Sequence, residues 1–570
     1  MSVDPVTFQV IVSRLSGIVQ EMQDRIFRTG YSTIVRESQD ASCLILDVSG
    51  DVVGEHVIVP LHLACLPEAV RAVRAEFGDD IRTDDAFLTN DPYLGAVPHS
   101  SDIAVVAPVF AGERLIAFVA NMAHKSDLGG VVPGTGNASA RELFQEGIIY
   151  PPVRFVSGGI LDPDVEAILR ANSRTPELVL GDLRGQLGVA KLGQRRLAET
   201  IATYGLESVL DVFANVQEVA ERRVRTMLAR WPDGTFEGES FVENDGVDLE
   251  RRIRYHVRIT KRGERIAFDF TQTDDQAAGP VNILPSTARG CVYFALIGLL
   301  DATLPNNGGL ARVVETSFRK GSVLWPVYPA PCNTYMNSAL AVTEAVVQAL
   351  SGFAPALRHA GNGGGGASVI SGWRADGTAF VQYELICSAY GALAERDGPS
   401  GSNVLVFGGR TAPVETLESE YPTRMRRFEL IPDSGGPGRF RGGLAPRRSY
   451  EILTPRAQWT LRAGKHVTPP FGIDGGRPGR VGSAVVNPGT HDARLHPGRF
   501  SGVTLRYGDV VTLDKAGGGG CGDPRSRPFE AILDDVLDGY VSRDSAIADY
   551  GVDPERLERA LAAWGSRAGS

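Results

Sequence analysis

The chain has 570 residues, 43% of them hydrophobic and 22% charged, with a net charge of −10. That length exceeds what one hydrophobic core supports, so about two to four packed units are expected, and the charged fraction excludes intrinsic disorder. The acidic balance, without a basic run or stripe, argues against a nucleic-acid partner, and no stretch of 18 apolar residues is present to span a membrane.

In chain order, Phe8, Ile11, Leu15, Ile18, Met22 and Ile26 recur at three- and four-residue steps and predict a helix. Strands are expected over Cys43–Val48 and Asp51–Val59, joined by a tight turn at Ser49-Gly50. Leu66–Phe77 reads as a second helix. Two strong strands, Ile103–Phe110 and Leu115–Asn121, flank a short Ala-Gly-Glu-Arg turn, and a Gly-rich loop follows Ser126. Leu161–Tyr204 alternates turn signals with helical patterns, and Leu210–Trp231 reads as one long helix. Strand periodicity returns from Thr235 to Phe270. Ser286–Leu300 and Ser338–Phe353 are helical in pattern, and short strands and turns dominate Arg447–Leu513. Ala531–Leu537 and Pro554–Trp564 suggest a C-terminal helical tail. The expected class is mixed α/β (α+β), multi-layered and rich in loops and glycine, because strands and helices interleave irregularly rather than as βαβ units. Four regions are expected: 1–232, carrying a metal site; a central α/β region, 233–446; a β-rich region, 447–525; and a helical tail, 526–570.

The six cysteines, Cys43, Cys65, Cys291, Cys332, Cys387 and Cys521, form no Cys-x-x-Cys pair. A disulfide framework or thiolate zinc site is therefore not expected, and a reducing compartment fits. Residues 1–7 lack the basic and apolar stretches of a secretory signal, so the expected location is cytoplasmic.

Metal chemistry is the sharpest signal. His99 and Asp102 lie three apart, and His124 follows the Ile103–Asn121 hairpin. Two imidazoles and a carboxylate make a facial ligand set with open positions for water and substrate. A two-residue loop at Ala111-Gly112 places His99 opposite His124 and Asp102 opposite Asn121, on strands about 4.8 Å apart. His99 and Asp102 have opposite parity, so Pro98–Ser101 must leave strand geometry, and Pro108 requires an edge or a bulge. The competing reading is plain: with nine histidines in the chain, a lone His is more often structural than a ligand. Five others (His256, His359, His466, His491, His496) read as structural or surface, and His56 and His62 stay open.

The same residues carry a family resemblance. Asp4-Pro5-Val6-Thr7, Arg36-Glu37-Ser38-Gln39-Asp40-Ala41-Ser42-Cys43, Pro60-Leu61-His62-Leu63, Asn90-Asp91-Pro92-Tyr93-Leu94-Gly95, Phe144-Gln145-Glu146-Gly147 and Gly181-Asp182-Leu183-Arg184 occur in order. Asp433–Gly443 and Gly517–Gly520 follow late in the chain. Over residues 4–525 the chain resembles the hydantoinase B/5-oxoprolinase family, the beta subunits of ATP-dependent hydantoinases, which also includes caprolactamase, acetone and acetophenone carboxylase subunits. The resemblance implies a divalent metal (manganese, zinc or iron) on His99, Asp102 and His124. Asp40 carries over as a fourth ligand or water-orienting carboxylate, the alternative being a capping Asp. Ser100, Ser101, Lys125 and Thr271-Gln272-Thr273 depart from the family pattern, and Lys125 stands where a second histidine is common. Asp127 and Asp91 are candidates to orient a ligand histidine or a water; the alternative for Asp91, before Pro92, is turn chemistry.

The resemblance further implies an alpha-type hydantoinase A partner with an ATPase fold, hence a hetero-oligomer, in which the partner uses ATP. No Gly-x-x-x-x-Gly-Lys-[Ser/Thr] loop occurs here. Gly517–Gly520 could cradle a phosphate, although such stretches are more often turns with positive φ. The implied activity is hydrolysis of a cyclic amide that the partner activates by phosphorylation. The alternatives are carboxylation of a ketone by the same site, and a non-catalytic scaffold.

Overall fold

The computed structural model describes residues 3–56, 59–406 and 408–568. The first element, α1 (Pro5–Thr29), is capped by Asp4, whose side chain accepts from the Val6 and Thr7 N–H groups, and Pro5 fills the first turn, where an N–H is dispensable. Its predicted stripe of Ile11, Leu15, Ile18, Met22 and Ile26 is buried. After α2 (Thr33–Arg36), β1 (Ala41–Asp47) and β2 (Val52–His56) form the expected hairpin. Residues 57 and 58 of the strand expected over Asp51–Val59 lie outside the described residues.

The next elements are α3 (His62–Phe77), β3 (Ala86–Thr89), β4 (Asp102–Ala111), β5 (Arg114–His124), β6 (Val153–Ser157) and β7 (Ile160–Leu161). The strands build a seven-stranded sheet in the order β2-β1-β5-β4-β3-β6-β7. Helix α3 covers one face, where Leu66, Val70 and Val73 meet Leu44, Ala104, Phe118 and Ala120. On the other face Val179, Leu180 and Leu183 pack on Leu88, Ile103 and Val105. Each Leu, Val, Ile or Phe among these side chains contributes about 1.5–3 kcal/mol on removal from water.

Those last residues belong to the second of three helices, α4 (Pro163–Asn172), α5 (Pro176–Tyr204) and α6 (Leu206–Leu228). The four glycines within 161–204 sit inside α5, two of them at close approaches. A Cβ on Gly181 would lie 2.3 Å from the Tyr31 ring, and one on Gly193 would lie 2.6 Å from both Met22 Sδ and Val119. Packing thus overrides the local propensity.

A second sheet, β11-β10-β9-β8, comprises β8 (Gly234–Val242), β9 (Ile253–Arg262), β10 (Arg265–Asp269) and β11 (Val314–Ser317). Around it run α7 (Pro285–Leu300), α8 (Gly308–Ala311) and α9 (Met336–Leu350). Tyr255 Oη donates to Ser338 Oγ at 2.6 Å, and Ser240 Oγ donates to Glu344 at 2.6 Å, tying α9 to this sheet. Strands β12 (Gly366–Trp373) and β13 (Ala379–Leu385) follow.

The chain divides into two compact units, and the division falls elsewhere than at 232, 446 and 525. One unit holds residues 1–353, 369–385 and 405–413; the other holds 354–368, 386–404 and 414–570. In the second unit α10 (Val414–Glu420) precedes β14 (Thr423–Leu430), β15 (Pro446–Ile452), β16 (Ala457–Ala463), β17 (Ser483–Val486), β18 (Arg494–His496), β19 (Arg499–Leu505) and β20 (Val510–Asp514). Five of them form the sheet β14-β15-β20-β17-β18, while β16 pairs with β19.

Beside them the glycine-dense segments pack backbone against backbone. Cβ atoms on Gly517, Gly518 and Gly519 would lie 1.8, 1.8 and 1.9 Å from the carbonyl oxygens of Ser434, Tyr390 and Phe471. The N–H groups of Gly517, Gly518, Gly519 and Gly520 donate to the carbonyls of Arg480, Gly443, Gly361 and Arg477, each at 2.9 Å. This corrects the phosphate-cradle reading: every one of these donors is already committed. None of the four has positive φ, so close approach explains them rather than turn geometry.

The chain closes with α11 (Phe529–Leu537), α12 (Arg543–Ala548) and α13 (Pro554–Ala568) around a small core of Ile532, Val541, Tyr550 and Leu557. Buried Arg527 ties this tail down through Asp397 and Asp535, both at 2.7 Å, and Arg441 adds a second pair with Asp535.

Candidate metal centre

Three adjacent strands end together and set the site. Asp102 opens β4 and pairs with His124, the last residue of β5. On the other side of β5, Ala41 pairs with Ala123, and the His124 N–H donates to the Asp40 carbonyl at 3.1 Å. Directly paired residues project to the same face, so Asp40, His124 and Asp102 form one row. Met122 and Ala120 show that this face is the one covered by α3, whose first residue is His62.

The expected register is corrected. Asp102, not His99, lies opposite His124, because the turn sits one residue later, with Ala111 paired to Arg114 and a bulge at Val109/Phe110. Pro108 lies beyond the residues of β4 that pair with β3, next to that bulge. His99 does lie outside the strand, in a turn closed by the Asp102 N–H donating to the His99 carbonyl at 3.1 Å. Ligand atoms of His99, Asp102 and His124 all come within 4.8 Å of one another, and all three residues are buried.

Local hydrogen bonding orients this set. His99 Nδ1 lies 3.2 Å from the Asn333 carbonyl. A carbonyl only accepts, so the proton sits on Nδ1 and the Nε2 lone pair is left for the site. Nε2 then faces Asp102 Oδ2 at 3.3 Å, acceptor against acceptor. That confrontation is relieved by a cation between the two atoms or by a proton on Nε2. Both oxygens of Asp102 are buried without an aligned hydrogen-bond donor, a costly state for a carboxylate. The donor set and the orphaned carboxylate therefore fit a divalent ion.

His62, left open by the sequence, belongs to the surroundings. Its Nδ1 lies 3.1 Å from Ser42 Oγ, and its Nε2 lies 3.7 Å from Asp102 Oδ2. Burial works against ionisation of Asp102, but positive charge on the His99 and His62 rings, the state in which a proton rather than a cation sits on Nε2, outweighs it and holds the carboxyl well below the usual range. Asp40 behaves oppositely. Burial, reinforced by the charge on Asp102, pushes its carboxyl up to about 6 against the pull of His62 and His99. Asp40 is thus electrically part of the cluster, although it is not among the three residues whose ligand atoms converge. Two aromatic rings wall the site: Tyr335 lies 4.8 Å from the His99 ring, and Tyr383 lies 4.5 Å from that of His124, centroid to centroid. No motif singled these tyrosines out, since each lies more than 200 residues from the ligands in sequence.

The remaining candidates are placed elsewhere. Asp91 Oδ1 accepts the N–H groups of Tyr93 and Leu94 at 2.7 and 3.0 Å, which is turn chemistry. Asp127 accepts from the N–H groups of Gly134 and Arg174 at 2.9 and 2.6 Å and pairs with the Arg174 guanidinium at 3.2 Å. Its carboxylate organises the glycine loop. Lys125 projects to the face opposite His124 and donates to Gln186 Oε1 beneath α5.

A family model described as Hydantoinase B/oxoprolinase matches residues 4–524. A protein of Pseudomonas sp. (strain NS671), provisionally named as the B component of a D-/L-hydantoinase, is 31% identical over 98% of this chain and 97% of its own length. The acetophenone carboxylase delta subunit of Aromatoleum aromaticum is 26% identical over 96% of this chain and 86% of its own. A crystal structure of ATP-dependent caprolactamase from Pseudomonas jessenii superimposes with a TM-score of 0.91 at 28% identity, covering 97% of both chains.

Proposed function

The chain belongs to the Hydantoinase B/oxoprolinase family, and from that premise we propose that it is the metal-bearing subunit of an ATP-dependent amidohydrolase acting on a cyclic amide. The convergence of His99, Asp102 and His124 ligand atoms within 4.8 Å carries this reading. The likeness to a hydantoinase B component, to the acetophenone carboxylase delta subunit and to an ATP-dependent caprolactamase supports a hetero-oligomer in which a partner consumes ATP.

An unstrained amide is a poor electrophile, so phosphorylation of its oxygen on the partner gives the carbon a leaving group. A divalent ion bound by His99, Asp102 and His124 supplies Lewis acidity and lowers the pKa of water toward about 7. Tyr335 and Tyr383 restrict access of bulk water to the two imidazoles. Asp40, in one row with His124 and Asp102, is placed to accept the proton of the attacking water and return it to the departing nitrogen. Attack of one water on the activated carbon and cleavage of the C–N bond open the ring to an acyl phosphate and a free amine, and a second water splits the acyl phosphate into carboxylate and inorganic phosphate.

A second reading, carboxylation of a ketone, draws on the likeness to the acetophenone carboxylase delta subunit. The deciding experiment uses the purified partner complex with ATP, candidate lactams and ketones, with and without bicarbonate, alongside elemental analysis. Bicarbonate-independent ring opening with one metal per chain is expected, and His124→Ala should lose both metal and turnover. Turnover only with ketone and bicarbonate would favour the carboxylase. Wild-type turnover in His124→Ala would overturn the site and leave the chain a scaffold.

A further inference from the structure

Glu146 is fully buried, yet it is not one of the candidate ligands. It ends the short turn Leu143–Glu146. Its Oε1 accepts the Asn333 N–H at 2.7 Å and its Oε2 accepts the Cys332 N–H at 3.1 Å. Its backbone carbonyl accepts Ser100 Oγ at 2.7 Å. The Asn333 side-chain amide closes the loop by donating to Ser100 Oγ and Ser101 Oγ at 3.3 and 3.4 Å. One residue therefore grips both the segment between His99 and Asp102 and the distant segment whose carbonyl meets His99 Nδ1.

Buried charge-assisted bonds to backbone N–H groups are short and directional. They decide where the Asn333 carbonyl points, and that carbonyl decides which imidazole nitrogen of His99 carries the proton. We propose that Glu146 is a positioning residue for the metal centre: it fixes the Asn333 carbonyl, which locks His99 as the Nδ1–H tautomer and commits Nε2 to the ion. The proposal rests on the metal reading above for its consequence, but the tautomer itself is a property of the metal-free chain. Partners that orient a ligand histidine affect affinity by about 10- to 100-fold. Gln at position 146 keeps the shape but offers one acceptor, and it aims an NH2 group at a backbone N–H.

The test compares wild type, Glu146→Gln, His99→Ala and the double variant by Co2+ titration of the full chain, following the visible absorption of the bound ion. Glu146→Gln is expected to weaken Co2+ binding about 10- to 100-fold, and to weaken it no further in the His99→Ala background. An equal loss in both backgrounds, or none in the first, would overturn the proposal. Nitrogen-15 histidine spectra of the metal-free proteins give the second readout. His99 should appear as the Nδ1–H tautomer in wild type and as a mixture in Glu146→Gln. If wild type binds no Co2+ while this tautomer change is seen, the metal reading fails and the positioning role stands; an unchanged tautomer refutes the positioning role. Should Glu146→Gln not fold, Ser100→Ala replaces it, removing the hydroxyl that joins Glu146 to Asn333. It should shift the His99 signals and weaken Co2+ binding, and no change in either would overturn the proposal.

Discussion

Replacing Lys125 by Met separates burial from metal chemistry. The ammonium is buried, and burial pushes its pKa from 10.5 down to about 8, against the opposing pull of Asp182 and Asp102. That gap corresponds to about 3 kcal/mol of penalty for holding the charged form in the folded state at neutral pH. Between about pH 8 and 10.5 the unfolded chain keeps a proton that the folded chain has released, so stability rises with pH across that window and is flat with respect to this group below it. Met removes the penalty but strips Gln186 Oε1 of its donor, which costs about 1–3 kcal/mol. The expected net change at neutral pH is a gain of about 0–2 kcal/mol. Urea unfolding at neutral and alkaline pH should show the alkaline rise reduced relative to wild type. Lys515, also pushed by burial down to about 8, contributes its own rise to both proteins and cancels in the difference. Metal content should not change, because Lys125 and His124 project to opposite faces of β5. Identical alkaline slopes in the two proteins, or a tenfold loss of metal affinity in the variant, would refute this placement.

Four further outcomes are expected. Glu55 is half-buried with its carboxylate enclosed, and that burial pushes the carboxyl up to about 7 despite the hydrogen bond from the Asn306 N–H. The folded chain holds a proton there that the unfolded chain releases above 4.5, so stability falls as pH rises through that window; Glu55→Gln should raise the melting temperature above pH 7 and leave it unchanged near pH 4. Gly518→Ala would put a Cβ 1.8 Å from the Tyr390 carbonyl oxygen and should cost about 3 kcal/mol. Gly17→Ala, with open space in α1, should instead gain about 0.5–1 kcal/mol in the same denaturation assay. A chelator should lower the wild-type melting temperature, since a ligand at a thousand times its Kd stabilises by about 4 kcal/mol; His124→Ala should not respond to the chelator.

The amphipathic stripe of α1, the two hairpins and the C-terminal helices were legible because periodicity reports which face is buried, whatever lies against it. The ligand set was legible as three residue types around one hairpin. Its register was not, because a bulge at Val109/Phe110 and a turn one residue later changed every pairing, and neither leaves a local signal. Helix α5 was obscured because glycines at Gly181 and Gly193 look like breakers until Tyr31 and Met22 occupy the space beside them. The glycine-dense run at 517–520 has the composition of an anion cradle, but its N–H groups are bonded to other carbonyls.

The sequence by itself determined the chemistry available, two imidazoles and a carboxylate within 26 residues, and the surfaces each element must bury. Tertiary structure decided the geometry. It brought in Asp40 and His62, walled the site with Tyr335 and Tyr383, set Asn333 against His99, and turned Lys125 away. Those contacts join residues up to 259 positions apart, and no local pattern can encode a pairing that exists only once the chain has packed.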